Sequence, residues 1–244
     1  MSQTSQPLPG HPPAIVCREV VKYLGRRKFR TEVLHGLDLE VYSGQMTLLV
    51  GPSGCGKTTL ISTIAGILKP DKGSIALFGT AMADLGRRRI TRFRGRNVGL
   101  VLQQFHLFPA LTAAENVAVP LLVLRHGARQ AQARAASLLE GLGLAAHADK
   151  YPRELSVGEQ QRVAIARAIA HDPRLIICDE PTAALDAASG RLVMQLLRDV
   201  TVKSDRAVLV VTHDHRIFGF ADRIIHMDDG RITRITESTE REAA

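Results

Sequence analysis

The chain has 244 residues, of which 45% are hydrophobic, so it can bury one substantial core and could carry a second small lobe. Its formal net charge of +8 suits anionic partners such as nucleotides, nucleic acid or lipid headgroups, although this charge alone is more often that of an ordinary soluble protein. No apolar run approaches the roughly 20 residues of a membrane-spanning helix, so a membrane role would have to be peripheral.

Both ends of the chain are expected to lie outside the folded domain. The start, MSQTSQPLPGHPPA, is rich in proline and lacks the charged and apolar regions of a signal peptide. Residues 1–13 are therefore predicted to form a flexible tail, and residues 236–244 a second one.

Short β-branched runs alternate with helical patterns along the chain, as in a parallel sheet covered by helices. AIVCREVVKY and LDLEVYSG are predicted to be strands of a small antiparallel sheet, and TLLV at 47–50 a short buried strand. RLIICDE and RAVLVVTHD are predicted to be two later buried strands. The helix between these two strands has an apolar face formed by Leu192, Val193, Leu196, Leu197 and Val200. The predicted fold class is therefore α/β with a mostly parallel sheet.

The middle of the chain differs, because its pattern is mainly helical. ARQAQARAASLLEGLGL is its plainest helix, and no good strand occurs there. We predict a helical subdomain at about 105–170, inserted into a core formed by residues 14–104 and 171–235 of one domain. RRRITRFRGR, at 87–96, is predicted to be a solvated basic helix, because Phe93 is its only aromatic residue. A patch that binds nucleic acid or attracts anionic lipid headgroups is the alternative.

Cysteines and histidines give no metal site by their spacing. Cys17, Cys55 and Cys178 are neither paired nor clustered, which favours buried, reduced thiols in a cytosolic protein. Surface or core positions are expected for His35, His106, His126, His147, His171, His215 and His226.

GPSGCGKT, at 51–58, fits the G-x-x-x-x-G-K-[ST] pattern of a phosphate-binding loop, with a predicted strand before it and a helix after it. Its glycines let successive backbone N–H groups point at phosphate oxygens. Lys57 supplies positive charge, and the Thr58 hydroxyl is placed to bind Mg²⁺. The predicted nucleotide-binding residues are Gly51, Pro52, Ser53, Gly54, Cys55, Gly56, Lys57, Thr58 and Thr59.

LIICDEP ends a predicted strand in two carboxylates. Asp179 is placed for a second Mg²⁺ contact, and Glu180 is placed to accept a proton from an attacking water. Guanine specificity is not expected, because the nearest match to its N-K-x-D motif, VKSD at 202–205, lacks the asparagine. The two motifs together predict a nucleotide hydrolase.

LSVGEQQR, at 155–162, predicts the start of a helix. Ser156 and Glu159 have the spacing of a capping box, and VAIARAIA continues the helix. A helix start offers free backbone N–H groups to an anion.

Five motifs in one order, GPSGCGKT, LQQF, LSVGEQQRVAIARA, LIICDEPTAALD and VVTHD, resemble those of ABC transporter ATP-binding subunits. The resemblance covers nearly the whole chain, from Ala14 to about Ile235. VLQQFHLFPALTAAENV and ADRIIHMDDGRI are similar to the branch that serves lipoprotein release and macrolide export. The family's fold is a P-loop NTPase core with a mostly parallel sheet, a small antiparallel sheet and an inserted helical subdomain.

The resemblance implies site roles by position. Tyr23 would stack on adenine, Gln103 would approach Mg²⁺ and the attacking water, and His213 would contact the γ-phosphate. Glu180, His213 and Gln103 are thus the implied catalytic residues, and Thr58, Gln103 and Asp179 the implied Mg²⁺ ligands. Asp186 would lie in the loop that crosses the dimer interface, and the signature motif would comprise Ser156, Val157, Gly158 and Glu159.

The resemblance also implies partners. The signature motif would close over the ATP held by a second copy, in a twofold dimer that binds ATP and Mg²⁺. Transmembrane permease subunits would anchor the dimer at the cytoplasmic face of the inner membrane, with no nucleic acid involved.

Two residues depart from the family's commonest signature, L-S-G-G-Q. Glu159 replaces the glutamine and is explained by the capping box. Val157 replaces the first glycine, and its β-branched side chain enters a tight approach to phosphate. We expect activity to survive, because the Val157 side chain can point sideways while Gly158 makes the close approach. A weakened ATPase with a structural role is the alternative.

Three alternatives stay open. The apolar cluster Phe105, Leu107, Phe108 and Leu111 could be core of the helical subdomain or a groove for a transmembrane partner. The chain could also be a regulatory or scaffolding subunit of an envelope complex. It could finally be a non-transport ATPase, although such relatives usually carry a coiled coil or two cassettes.

Overall fold

The computed structural model describes residues 12–25, 29–204 and 206–237. Most of the two predicted tails, and Asp205 of VKSD, therefore lie outside the described residues. The described strands are β1 Pro13–Leu24, β2 Thr31–Tyr42, β3 Met46–Val50, β4 Lys72–Leu77, β5 Thr80–Ala81, β6 Val98–Val101, β7 Leu175–Asp179, β8 Ala207–Thr212, β9 Arg223–Asp228 and β10 Arg231–Glu237. The described α-helices are α1 Lys57–Ile64, α2 Arg87–Asn97, α3 Ala113–Val123, α4 Ala128–Gly141, α5 Val157–Ile169 and α6 Ala187–Ser204.

The larger sheet has six strands in the order β10-β9-β3-β8-β7-β6. All neighbours are parallel except β9 and β10, which form an antiparallel pair. Every residue of β3, β7 and β8 is buried, as expected for parallel strands covered on both faces. The prediction of a mostly parallel sheet is confirmed.

The smaller sheet is antiparallel, as predicted, with the order β2-β1-β4-β5. It packs with α1 and one face of the larger sheet in a shared core. The predicted domain boundaries, at residues 14 and 235, fall inside strands, since β1 begins at Pro13 and β10 ends at Glu237.

The apolar face predicted for α6 is partly wrong. Val193 and Leu197 are buried, but Met194 is buried with them and Leu192 is 48% exposed. Each residue advances about 100° around a helix. Val193 and Leu197 therefore lie on one side of α6, and Leu192 points away from them.

The helical subdomain consists of α3, α4 and one face of α5, with no strand between residues 105 and 170, as predicted. Its core contains Val117, Leu121, Leu139 and Val163. Ala164 and Ile165, the next residues of α5, pack instead against the larger sheet. One helix therefore belongs to both cores and joins them.

The apolar cluster after Gln103 has the predicted roles of helical-subdomain core or exposed groove only in part, because two of its residues pack against the larger sheet. Phe105 and Leu107 pack against the core of the larger sheet, and Leu107 also contacts that of the helical subdomain. Phe108 is 48% exposed on the surface. Its backbone is held by buried Asn116, which accepts a hydrogen bond from the Phe108 N–H at 2.7 Å.

The helix α2 forms before a strand, as predicted, and none of its residues is fully buried. The three cysteines are buried and unpaired, which confirms that prediction. Burial raises the pKa of the Cys17 thiol to about 12, so it is unreactive at neutral pH. Within the described ranges, no helix is long and apolar enough to cross a membrane.

Candidate nucleotide-binding site

The candidate site lies at the carboxyl ends of the parallel strands. The loop after β3, the end of β7 and the residue after β8 meet there because parallel strands end at the same edge of a sheet. They surround a cavity of about 570 Å³. The predicted site residues in its wall are Ser53, Gly54, Gly56, Lys57, Thr58, Thr59, Gln103, Asp179, Glu180 and His213.

The backbone of the loop 51–56 favours glycine at Gly51, at Gly54, where φ is +81°, and at Gly56. A Cβ at Gly51 would lie 2.0 Å from the Met227 carbonyl oxygen, and Gly56 has a φ of +102° at the start of α1. Lys57 then begins α1, and its Nζ donates to the carbonyls of Gly51 at 2.8 Å and Pro52 at 2.6 Å. The ammonium is thus held over the loop, where the first N–H groups of α1 are also free to bind phosphate.

A hydroxyl and a carboxylate meet beside this loop. Thr58 Oγ1 donates a hydrogen bond to Asp179 Oδ2 at 3.1 Å. Asp179 is only 6% exposed, and burial raises the pKa of its carboxyl although the Thr58 hydrogen bond and the Lys57 charge oppose this. Oxygen donors of these two kinds are ligands that Mg²⁺ prefers.

Glu180 has a strained backbone and a free carboxylate oxygen. Its φ is +51°, an uncommon conformation for a residue with a side chain, and its N–H donates to the Val211 carbonyl at 2.9 Å. Glu180 Oε1 lies 2.7 Å from His213 Nδ1. Glu180 Oε2 is buried and has no hydrogen-bond partner among the described residues, so it can accept a proton.

Sequence reasoning missed a pair that holds Glu180 and His213 together. Thr182, which is 1% exposed, donates from Oγ1 to Asp214 Oδ2 at 3.3 Å. The Asp214 N–H donates to Thr212 Oγ1 at 3.0 Å, and Arg216 donates to the Asp214 carboxylate. The signal was available in VVTHD, since an aspartate in the turn after a strand often accepts a hydrogen bond from the N–H two residues further on.

Gln103 is exposed at the cavity, and the loop after it is held from α5. Phe105 and His106 both have positive φ, +57° and +47°. Arg167 donates from Nη1 to the His106 carbonyl at 2.7 Å and from Nη2 to the Phe105 carbonyl at 2.6 Å. Sequence reasoning also missed Arg167, although a lone arginine in the apolar run VAIARAIA indicates a buried partner.

The structure does not bring the signature residues to this cavity. Ser156 is the N-cap of α5, with its hydroxyl accepting from the Glu159 N–H at 3.3 Å and Glu159 Oε2 accepting from the Ser156 N–H at 2.7 Å. The predicted capping box is therefore present. Val157 is 46% exposed, and a Cβ at Gly158 would meet only ordinary contacts, the nearest being Ser189 at 3.8 Å.

Asp186 lies next to the signature segment rather than at the cavity. Its carboxylate accepts hydrogen bonds from the N–H groups of Ala188 and Ser189 and from the Ser189 hydroxyl, so it caps α6. These hydrogen bonds hold the pKa of the Asp186 carboxyl below its usual range. Asp186 and the signature segment together form one exposed surface of the chain.

Tyr23 does not line the cavity, which Leu24 borders instead. Neighbouring side chains of a strand point to opposite faces. The Arg30 guanidinium lies 4.8 Å from the centre of the Tyr23 ring, and both Arg30 and the Tyr23 N–H contact Asp71. A role of Tyr23 in adenine stacking stays a prediction.

Comparisons with known proteins agree with this architecture. The sequence profile described as ABC transporter matches residues 34–183. The lipoprotein-releasing system ATP-binding protein LolD 2 of Caulobacter vibrioides is 42% identical over 211 residues, which cover 84% of this chain and 92% of that protein. LolD of Pseudomonas fluorescens is 40% identical over 219 residues, which cover 90% of this chain and 96% of that protein.

Solved structures give the same result. The ATP-binding cassette MJ0796, in a dimeric post-hydrolysis state bound to ADP and Pi, has a TM-score of 0.86 and 36% identity, covering 91% of this chain and 98% of that chain. CbiO1 from Clostridium perfringens, part of the cbiONQ ABC transporter complex, has a TM-score of 0.83 and 27% identity, covering 95% of this chain and 91% of that chain.

Proposed function

The chain belongs to the ABC transporter family as an ATP-binding and hydrolysing subunit, and we propose that it powers export or envelope trafficking through separate transmembrane subunits. The observation that carries the proposal is the convergence of Lys57, Asp179, Glu180 and His213 on one cavity at the ends of the parallel strands. The lipoprotein-releasing names of relatives that are about 40% identical support the envelope assignment.

Hydrolysis would use Glu180 as the general base. A water oxygen attacks the γ-phosphorus, the bond from that phosphorus to the bridging oxygen of ADP breaks, and Glu180 Oε2 takes a proton from the water. The positive φ of Glu180 and its contact with His213 Nδ1 aim the carboxylate at the cavity. Lys57 offsets the charge on the phosphate oxygens.

The oxygen atoms of this site fit a magnesium ion. Thr58, Asp179 and Gln103 would hold it, with the remaining positions open to phosphate and water. When bound, the ion supplies positive charge to the phosphate oxygens. Asp179 must be ionised to bind it, so the raised pKa of this carboxyl makes binding weaker at acidic pH.

The proposed active form is a dimer of two copies. The signature segment and Asp186 are remote from the cavity of their own chain, and Gly158 meets nothing within the chain closer than ordinary contact. Both observations are expected if this surface closes over ATP in a second copy. The dimeric state of MJ0796 supports the same arrangement.

The proposed location is the cytoplasmic face of the inner membrane, through a permease partner and without nucleic acid. Exposed Phe108 and the exposed end of α3, at Leu122 and Val123, give the helical subdomain an apolar surface that such a partner could cover.

A regulatory or scaffolding subunit is the second candidate, because Val157 is half-exposed on the signature surface, where its side chain could slow hydrolysis. Steady-state ATPase activity with and without the membrane partner separates the two candidates.

A pull-down of tagged Glu180→Gln protein from detergent-solubilised membranes, with ATP and Mg²⁺, tests the proposal. The parental chain without nucleotide is the control. A stoichiometric multi-spanning protein is the expected co-purifying partner. Recovery of a soluble dimer alone, or of nucleic acid, would contradict a transport function.

A further inference from the structure

Glu159 of the signature segment has two partners, one on each carboxylate oxygen. Oε2 accepts the hydrogen bond from the Ser156 N–H at 2.7 Å that completes the capping box. Oε1 lies 3.2 Å from Nε2 of His147, which the capping box does not require. The orientation of the Glu159 side chain is therefore determined by a residue outside the signature segment.

His147 is fixed independently of α5. It ends a 3₁₀ turn at Ala145–His147, in which its N–H donates to the Leu144 carbonyl at 2.9 Å. The next residues are tied to the first turn of α3, because the Ala148 carbonyl accepts from the Ala114 N–H at 2.9 Å. The imidazole thus connects the start of α3 to the start of α5.

The surroundings of His147 favour one tautomer. Nδ1 is buried and has no hydrogen-bond partner among the described residues, so a proton there would add a buried N–H without an acceptor. A proton on Nε2 instead faces Glu159 Oε1, which lies 3.2 Å away. The hydrogen bonds from Ser156, helped by the charge of Lys150, hold the pKa of the Glu159 carboxyl below its usual range, so this carboxylate is ionised.

We propose that His147 is a positioning residue of the signature segment. Its Nε2–H holds Glu159 in the conformation that caps α5, and this keeps the Ser156 and Gly158 backbone oriented for the γ-phosphate in a second copy. The inference rests on the proposed dimer, in which the signature segment serves the other copy.

Two substitutions of His147 separate hydrogen bonding from packing. His147→Gln keeps an N–H donor at a similar reach, whereas His147→Phe keeps a ring of similar size without a donor. Both are made in the Glu180→Gln background, where ATP-dependent dimerisation can be measured without turnover. Lone-chain ATP affinity and melting temperature are measured for each.

We expect His147→Phe to weaken ATP-dependent dimerisation about five- to tenfold, with unchanged ATP affinity of the single chain, and His147→Gln to restore most of the loss. If His147 had a purely structural role, the melting temperature of both variants would fall, and the two variants would not differ in ATP-dependent dimerisation. Equal dimerisation by the phenylalanine variant and the parent, or equal loss in both variants, would overturn the inference while leaving the dimer intact.

If His147→Phe folds poorly, a double variant that combines a substitution of His147 with Glu159→Gln tests the inference instead. Effects of Glu159→Gln and His147→Ala on dimerisation that simply add would overturn the inference, whereas a smaller combined effect supports it. If the Glu180→Gln parent itself fails to dimerise with ATP, the proposed function fails, and this inference fails with it.

Discussion

His213 Nδ1 lies 2.7 Å from Glu180 Oε1, although 33 residues separate the two in sequence. Glu180 directly follows β7 and His213 directly follows β8, and these strands are parallel neighbours. The contact occupies one oxygen of the carboxylate, while Oε2 has no hydrogen-bond partner among the described residues. In the proposed mechanism His213 would orient the general base, and it lines the cavity where the γ-phosphate would lie.

Glu180→Gln should lower ATP turnover by about 10²–10⁴-fold, the usual contribution of a general base. The amide has nearly the same shape and cannot take the proton, so ATP binding should persist and the dimer should accumulate. Steady-state phosphate release and size-exclusion chromatography with ATP measure both effects. Glu140→Gln, on the exposed face of α4, is the matched control. Turnover at the parental rate would remove Glu180 from the mechanism.

Thr58→Val should raise the Mg²⁺ concentration needed for half-maximal ATPase activity at least about tenfold. Valine has the shape of threonine but lacks the hydroxyl that bonds Asp179 at 3.1 Å. Titration of activity with Mg²⁺ at saturating ATP measures the change. Thr58→Ser restores the hydroxyl and should restore the parental titration. An unchanged titration in the valine variant would exclude Thr58 as a ligand.

Gly158→Ala should leave the chain folded and abolish most of its ATPase activity. Among the described residues the added Cβ would meet nothing closer than 3.8 Å, and alanine in a helix is favoured over glycine by up to about 1 kcal/mol. Its methyl group would instead enter the gap closed by the second copy, where a cost of about 1.4 kcal/mol corresponds to about a tenfold loss of rate.

Urea unfolding and phosphate release measure the two effects of Gly158→Ala. Gly141→Ala, at the end of α4 with no atom within 4 Å of the added Cβ, should change neither. A fall in the stability of Gly158→Ala equal to its loss of activity would argue against an intersubunit role.

Arg167→Met should lower the free energy of unfolding by about 1–3 kcal/mol, because two carbonyls lose a charged donor. These carbonyls belong to Phe105 and His106, whose positive φ values need external support. Hydrogen exchange of residues 103–108 should become faster, and ATPase activity should fall. Arg129→Met, an exposed position on α4, controls for the loss of charge. Unchanged exchange in this loop would contradict the role of Arg167.

The stability of the protein should fall as the pH drops below about 6.5, partly through His171. Burial lowers the pKa of the His171 imidazole below its ordinary 6.5, with Asp172 and the Val98 backbone opposing the shift. The unfolded chain therefore takes up a proton at a higher pH than the folded one. The stabilisation is complete above pH 6.5 and is lost as the pH falls toward the folded-state pKa.

His171→Gln should make the free energy of unfolding less dependent on pH between 7.5 and 5.5. Chemical unfolding at several pH values measures this slope. His126→Gln, at an exposed position, should retain the parental slope. The same slope in His171→Gln and the parent would assign the acid sensitivity to other groups.

Local sequence was enough to predict the elements that have strong local signals. The loop 51–58 has glycines where the backbone requires them, and the capping box of Ser156 and Glu159 depends on residues three apart. The buried strands β3, β7 and β8 read as apolar runs. Leu192 was wrongly predicted to lie on the buried face of α6. A helix repeats every 3.6 residues, so a list of nearby apolar residues does not define which side of the helix faces the core.

The sequence by itself determined the family, the phosphate-binding loop and the two acidic residues after LIIC, because these depend on residues close together in the chain. The tertiary structure decided the contacts between distant segments. Strand order brought His213 to Glu180, α5 brought Arg167 to the loop after Gln103, and a 3₁₀ turn brought His147 to Glu159. No local pattern contains these pairs, since each depends on how two separately stable elements pack against each other.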